Sequence, residues 1–214
     1  PFGDRGTKRK FTALMDGFHP DVVHLNNIHT QLSPVIGEIA HRNGAKVFWT
    51  LHDYKLLCPR YDCLCNGENC ELCFDPKHKK NCLKYSCMKG GKIGSWIGYK
   101  EAEKWNRSRL EVATDCFICP SSFMADKMIQ GGFNADKLKV LCNFIDIEKC
   151  KRNDGYLKDN YYCFMGRLSH EKGAGTLISA ASQLPYKLVV VGDGPLMEEL
   201  KSRGHENIEF VGHK

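Results

Sequence analysis

The sequence predicts an α/β protein with two domains, each built around a parallel β-sheet. Three observations lead to this class: short β-branched runs alternate with amphipathic helices, the links between them are short, and a polar stretch divides the pattern in two. Two strands joined through a helix run parallel, because the chain must cross over to start the second strand. The length of 214 residues allows one large domain or two small ones.

The first predicted domain covers residues 1–145 and opens with a strand–helix–strand unit. Residues 21–25 are a β-branched run after a proline, which is typical of a buried strand. Residues 31–42 carry apolar side chains at helical spacing, and Asn43-Gly44 ends the helix. A second strand follows at 46–51. Beyond an insert, four further elements are predicted: a helix at 95–112, a strand at 115–119, a helix at 123–130 and a strand at 137–142.

The second predicted domain covers residues 160–214 and follows a linker at 146–159, which is mostly polar and lacks helical or strand periodicity. Its predicted elements are a strand at 161–165, a helix at 174–183, a strand at 187–191, a helix at 196–203 and a strand at 208–211. Three strands are fewer than an open sheet usually contains. We therefore expect the second domain to be incomplete.

An insert at residues 57–94 holds most of the unusual composition. Seven of the twelve cysteines fall between Cys58 and Cys87, and seven lysines with no acidic residue lie within residues 76–100. The net charge of +6 therefore comes almost entirely from one segment. The composition excludes a disordered chain, and no apolar run approaches the ~20 residues of a membrane-spanning helix. No secretory leader is recognisable at the start.

Four cysteines of the insert have the spacing of a metal site. Cys70, Cys73, Cys82 and Cys87 form two pairs separated by a short loop, which is compatible with a structural zinc bound by four thiolates. Reduced thiols are an alternative, and disulfides are a third possibility in an oxidising compartment. A cytosolic setting favours zinc over disulfides, so we predict a structural zinc.

Two glycine-rich turns follow strands of the second domain. The first, Gly166-Arg-Leu-Ser-His-Glu-Lys-Gly173, precedes a helix, whose free N–H groups favour an anion, and Arg167 and Lys172 add two cations suited to a diphosphate. It matches neither the dinucleotide fingerprint nor the P-loop. The second, Gly192-Asp-Gly-Pro195, has the same placement. An ordinary strand–helix turn is the alternative for both.

Polar residues also follow strands of the first domain. His52 and Asp53 come directly after the second strand, and the segment from His24 to His29 surrounds the end of the first. Ligands bind at the carboxyl ends of strands in open α/β sheets. A histidine satisfied by its neighbours is the alternative for each.

Taken in order, these motifs resemble glycosyltransferase family 4 over nearly the whole chain. The 166–173 loop is the most specific of them. The matching segments are Pro20-Asp-Val-Val-His24, Thr50-Leu-His-Asp-Tyr54, Pro120-Ser-Ser122, Asn143-Phe-Ile-Asp146, Gly166-Arg-Leu-Ser-His-Glu-Lys-Gly173, Val191-Gly-Asp-Gly-Pro195 and Val211-Gly212.

The resemblance implies the GT-B fold, with two Rossmann-like domains facing each other across a cleft. It also implies retaining transfer of a sugar from a nucleotide diphosphate sugar to a glycan or lipid-linked acceptor in polysaccharide biosynthesis. No cofactor or metal would be needed for catalysis. The family's N-terminal glycine-rich loop and its paired glutamates are missing from this sequence. The resemblance therefore implies that both domains are incomplete and that the chain is an interior piece of a longer protein, and we expect this piece alone to be inactive.

The resemblance also assigns roles by position. His52, Arg167 and Lys172 would be catalytic, with His52 contacting the transferred sugar and the two cations clamping the donor diphosphate. Residues of two kinds complete the expected site: the donor-binding Gly166, Gly173, Gly192 and Gly194, and the acceptor-side His24, Asn27 and Asp53. The structural zinc predicted from the cysteine spacing would brace a loop beside the acceptor side.

The expected setting is cytoplasmic, with peripheral association at the inner membrane face left open. The insert lysines would form a solvated basic face or contact anionic lipid head groups or a lipid diphosphate. Nucleic acid is not expected, because Tyr85 is the one aromatic residue within 76–94 and no recognised motif is present. The alternative function is a non-enzymatic zinc- and anion-binding module on a Rossmann-like scaffold.

Overall fold

The computed structural model describes residues 2–29, 31–149, 160–203 and 205–214. The chain forms two compact units, unit 1 (Pro1–Ile145) and unit 2 (Asp146–Lys214). Residues 150–159 of the predicted linker lie outside the described part. None of the described helices combines the length and apolar composition needed to cross a membrane.

Unit 1 begins with a helix that was not predicted, α1 (Arg5–Phe18). Asp4 caps its start, since the Asp4 side chain accepts a hydrogen bond from the Thr7 backbone N–H at 2.9 Å. Met15 is buried and Phe11 packs against the core, whereas Leu14 and Phe18 are exposed. These four residues are spaced i, i+3, i+4 and i+7, so the sequence carries a helical apolar stripe that was overlooked.

The predicted strand–helix–strand unit is present as β1 (Val22–Asn26), α2 (Val35–Arg42) and β2 (Lys46–Thr50). The two strands run parallel, with Asn26 opposite Thr50, as predicted. The helix starts four residues later than expected, because Ser33 has a positive φ of 64° and Pro34 occupies the N-cap. Ser33 is itself buried.

The insert contains little regular structure. It folds a short hairpin, β3 (Leu64–Cys65) with β4 (Glu68–Asn69), and a single turn, α3 (Asn81–Lys84). The expected helix at 95–112 is divided into α4 (Gly91–Lys104) and α5 (Arg107–Ala113). Asn106 separates them, because its side chain accepts from the Arg109 backbone N–H at 3.1 Å and so caps a new helix.

The remaining elements complete a four-stranded parallel sheet in the order β1-β2-β5-β6. They are β5 (Cys116–Cys119), α6 (Ser122–Gln130) and β6 (Leu138–Val140). Ser121 caps α6 by accepting from the Met124 N–H at 3.2 Å. Phe117 is fully buried, and its ring packs edge-on against the Phe133 ring with the centroids 5.4 Å apart. Both residues belong to the hydrophobic core of unit 1.

Unit 2 follows the predicted pattern closely. Its elements are β7 (Tyr161–Met165), α7 (Ala174–Ala181), β8 (Lys187–Val191), α8 (Met197–Ser202) and β9 (Ile208–Gly212). The three strands form a parallel sheet in that order. Leu188 and Val190 are fully buried and belong to the same hydrophobic core as Ile178 of α7. This core is separate from that of unit 1, and it packs against the strands that end in the glycine-rich turns.

Candidate functional site

In unit 1 the predicted polar residues meet where β1 and β2 end. The side chain of His52 is exposed, and its Nε2 lies 2.9 Å from Asn26 Oδ1. The contact follows from the register, since Asn26 lies opposite Thr50 and the chain reaches His52 two residues later. His52 is thus held by the neighbouring strand with most of its ring open to solvent.

A cavity of about 480 Å³ lies beside this edge and brings two predicted residues together. Asn27 and Asp53 both line it. Asp53 also accepts a hydrogen bond from the Lys55 backbone N–H at 2.8 Å, which fixes its carboxylate at the strand end. The other lining residues are His29, Lys55, Tyr61, Met88 and Glu101.

Three of the other lining residues form a buried polar group that sequence reasoning missed. Lys55 Nζ contacts Glu101 at 2.9 Å and donates to the Pro59 carbonyl at 2.7 Å, with little exposure of either side chain. Burial, reinforced by the nearby Lys55 charge, lowers the pKa of His29 to about 4, so its imidazole is neutral at pH 7. The His29 and Trp49 rings lie 5.3 Å apart.

His24, which was also predicted on the acceptor side, lies elsewhere. Its side chain is on the sheet, where Nε2 is 2.8 Å from Thr50 Oγ1 of β2. It is not among the residues that line the 480 Å³ cavity. The structure therefore brings Asn27 and Asp53 together but ties His24 to the neighbouring strand.

In unit 2 the 166–173 loop presents both predicted cations to solvent. Arg167 and Lys172 are exposed and make no ion pair with the described residues. Both lie close enough to the Glu171 carboxylate to interact with it electrostatically. Gly173 adopts a left-handed conformation with φ 67° and caps α7, so the free N–H groups of the first α7 turn lie directly after Lys172.

The structure explains why positions 192 and 194 are glycines, for a reason that the sequence did not suggest. A Cβ on Gly192 would collide with the Gly166 carbonyl oxygen, and one on Gly194 would collide with the Leu168 carbonyl oxygen. The two turns are also hydrogen-bonded, with Leu168 N donating to Asp193 O at 2.9 Å. The glycines therefore let the two turns pack backbone against backbone, which fixes the position of the cation-bearing loop.

The insert cysteines are arranged in pairs. Cys65 and Cys87 have their sulfurs 3.7 Å apart, and the Cys63 thiol donates to Cys58, which lowers the pKa of Cys58 below its usual range. Burial raises the pKa of Cys73 to about 12. Among the residues that the structure describes, no three His, Cys, Asp or Glu side chains are grouped so that they could hold a metal ion.

The four predicted zinc ligands are all described, and they are placed differently from one another. Cys73 and Cys82 are buried, whereas Cys70 and Cys87 are partly exposed. The described partner of Cys87 is Cys65, which the spacing argument did not include. Zinc ligation by Cys70, Cys73, Cys82 and Cys87 therefore stays a prediction.

Comparison with known families matches both units. Residues 3–149 match the family described as Glycosyltransferase Family 4, and residues 146–213 match Glycosyl transferases group 1. No protein of curated function matches the sequence.

Several solved structures share the fold. Anabaena HepE in complex with UDP is 18% identical with a TM-score of 0.57, over 96% of this chain and 51% of that one. HepE in complex with UDP and glucose is 19% identical with a TM-score of 0.56, over 100% of this chain and 54% of that one. The apo form of the lipopolysaccharide outer core galactosyltransferase WaaB is 15% identical with a TM-score of 0.51, over 97% of this chain and 48% of that one. The chain thus spans about half the length of these proteins, and both units have the Rossmann-like, parallel α/β architecture of the GT-B fold.

Proposed function

The chain belongs to glycosyltransferase family 4, and we propose that the protein transfers a sugar from a nucleotide diphosphate sugar to a glycan or lipid-linked acceptor, with retention, in polysaccharide biosynthesis. The observation that carries the proposal is the 166–173 loop, which holds two exposed cations at a helix start. The HepE structures, which contain UDP or UDP-glucose, support a nucleotide-sugar donor.

In the proposed mechanism the donor diphosphate binds to the 166–173 loop. Arg167 can bond two phosphate oxygens at once, and Lys172 supplies a second positive charge. As the bond to the sugar breaks, negative charge develops on the departing nucleotide diphosphate, and these cations stabilise it. In this proposal the two side chains supply that charge without a metal ion.

The acceptor would bind at the carboxyl edge of the unit 1 sheet. Asn27 and Asp53 offer polar groups that can bind sugar hydroxyls in the 480 Å³ cavity, and His52 would contact the transferred sugar. Neutral His29 and the Lys55–Glu101 pair hold the wall of the cavity. The cavity volume falls in the range typical of small-molecule sites.

Peripheral membrane association in the cytoplasm is part of the proposal. On α4, Ile93, Trp96 and Ile97 have 75%, 55% and 37% of their surface exposed at helical spacing, beside the exposed Lys92 and Lys100. An apolar stripe with a tryptophan and flanking lysines suits the interface of an anionic bilayer. Such a location would bring a lipid-linked acceptor to unit 1.

Calorimetric titration of the full-length protein with UDP- and GDP-sugars tests the donor site. We expect saturable binding that weakens at least about tenfold in Arg167→Ala and in Lys172→Ala, because each removes a charge-assisted contact. Lys187→Ala is the matched control. Lys187 starts β8, at the end of the strand opposite to the glycine-rich turns, and its ammonium pairs with Glu209 at 2.7 Å.

Two outcomes would count against the proposal. Titration curves that agree between the wild type and both loop variants would remove the 166–173 loop from donor binding. Donor binding with no sugar transfer to any glycan or lipid-linked acceptor would favour the non-enzymatic, anion-binding alternative.

A further inference from the structure

A second cavity in unit 1, of about 370 Å³, lies between the insert and the α4–α5 junction. Its lining combines aromatic side chains, among them Phe74, Trp105 and Phe133, with four cations. These three rings are buried, so they form fixed apolar walls. The cavity shares no lining residue with the 480 Å³ cavity beside Asp53.

The charge around this cavity is strongly positive. Its cations are Lys77, Lys79, Lys80 and Arg107, and Glu103 is the one acidic residue in its lining. The Glu103 carboxylate is already engaged by Lys100 at 2.8 Å and by the Tyr99 hydroxyl. Lys79 is engaged as well, because its ammonium donates to the Leu56 and Leu57 carbonyls.

Arg107 is the residue that most needs a partner. Its Nε is buried, and within the described part of the chain it has no hydrogen-bond acceptor. Arg109, two residues along α5, pairs with the Glu38 carboxylate through both Nε and Nη2. Leaving a buried charged donor unsatisfied is costly, so an unpaired guanidinium at a cavity wall indicates a bound anion.

The backbone beside Arg107 leaves room for its side chain. Gly132 has φ +82°, and a Cβ there would lie 2.8 Å from Arg107 Nη1. A residue with a side chain at position 132 would therefore strain the backbone and crowd the guanidinium. The planar guanidinium in this space can bond two oxygens of one anion.

We propose that this cavity binds the phosphate of a phosphate ester, with Arg107 as the main contact and Lys77 and Lys80 at the rim. The phosphate would pair with the guanidinium, and the organic part of the ligand would pack against the aromatic walls. The site is separate from the donor loop and does not depend on the transferase proposal. Its ligand is a soluble sugar phosphate or a lipid diphosphate, which share this chemistry.

Titration of the full chain with pyrophosphate, glucose 1-phosphate and farnesyl diphosphate in detergent tests the site. All titrations use an Arg167→Ala/Lys172→Ala background, so that the donor loop contributes nothing. We expect saturable binding of at least one of these phosphates. Its affinity should fall about tenfold or more in Arg107→Gln and stay unchanged in the control Arg42→Gln, because Arg42 ends α2 and does not line this cavity. Glucose and farnesol, which lack phosphate, should not bind.

The comparison between probes identifies the source of the ligand. Tighter binding of glucose 1-phosphate indicates a soluble ester, and tighter binding of farnesyl diphosphate indicates a lipid-linked one. Should Arg107→Gln lower the melting temperature, the exposed pair Lys77→Gln/Lys80→Gln replaces it in the same assay. Absence of saturable phosphate binding, or equal affinity in the wild type and these variants, would overturn the proposal.

Discussion

The two basic regions of the molecule hold their cations in opposite ways. In unit 2, Arg167 and Lys172 are exposed and unpaired within the described residues, on a loop fixed by backbone packing. Around the insert of unit 1, Lys55 and Lys79 are largely buried and bonded to Glu101 or to carbonyls. The difference teaches that the backbone packing of unit 2 leaves its two loop cations free for a ligand, whereas Lys55 and Lys79 are used to hold the structure around the insert together.

The backbone packing of unit 2 gives the largest expected effect. Gly192→Ala places a methyl group against the Gly166 carbonyl at φ +136°, so we expect a loss of about 4 kcal/mol in the free energy of unfolding of unit 2. Hydrogen exchange of β7 to β9 measures it. Gly175→Ala is the control, because nothing lies within 4 Å of its Cβ position and the residue is in α7. Equal protection in both variants would contradict the packing argument.

The buried ion pair of unit 1 gives the next effect. Glu101→Ala leaves Lys55 unpaired in the wall of the 480 Å³ cavity and should lower the free energy of unfolding by about 3 kcal/mol. The solvent-exposed pair Glu103–Lys100 on the same helix is the control, and Glu103→Ala should lower the free energy of unfolding far less, because solvent screens an exposed ion pair. Denaturant unfolding followed by tryptophan fluorescence reports on unit 1, and similar midpoints for the two variants would refute the contrast.

A smaller effect depends on pH. The folded-state pKa of His29 is about 4, below its ordinary value of 6.5, so the unfolded chain binds a proton more readily. Stability contributed by neutral His29 is therefore complete above pH 6.5 and declines as the pH falls towards 4, by about 3 kcal/mol. His29→Gln should flatten this part of the pH profile, and an unchanged slope would show that another group is responsible.

The cysteine pairs give the smallest change. Because its pKa is lowered, Cys58 carries more thiolate at neutral pH than Cys87, whose pKa is raised by burial. Oxidised glutathione should therefore join Cys58 to Cys63 before it joins Cys65 to Cys87. Peptide mapping by mass spectrometry measures the order. Native mass spectrometry of the reduced protein settles the zinc prediction in the same preparation, since one zinc per chain would favour a four-thiolate site over paired thiols.

Sequence reasoning succeeded best where contacts are local. In unit 2, β7 and β8 were predicted to the residue, because each strand is a β-branched or aromatic run bounded by a glycine-rich turn. The parallel pairing of β1 and β2 followed from the short links around α2. The α1 helix was missed although Phe11, Leu14 and Phe18 stand at helical spacing and Asp4 is a typical N-cap, so the signal was present in the sequence.

The missed parts of the candidate sites depend on contacts between distant residues. Glu101 reaches Lys55 from α4, 46 positions along the chain, and nothing near either residue signals the pair. Cys65 and Cys87 meet across the insert in the same way. Arg107 stands out only when the cavity and the missing partner of its Nε are seen together.

The central claim is that the 166–173 loop binds the donor diphosphate. Hydrogen exchange of the full-length protein with and without UDP-glucose tests it most directly, because the free backbone N–H groups at the start of α7 would become hydrogen-bonded. We predict increased protection at residues 166–176 in the wild type and its loss in Arg167→Ala. Protection confined to unit 1, or unchanged exchange in this loop at saturating donor, would contradict the claim.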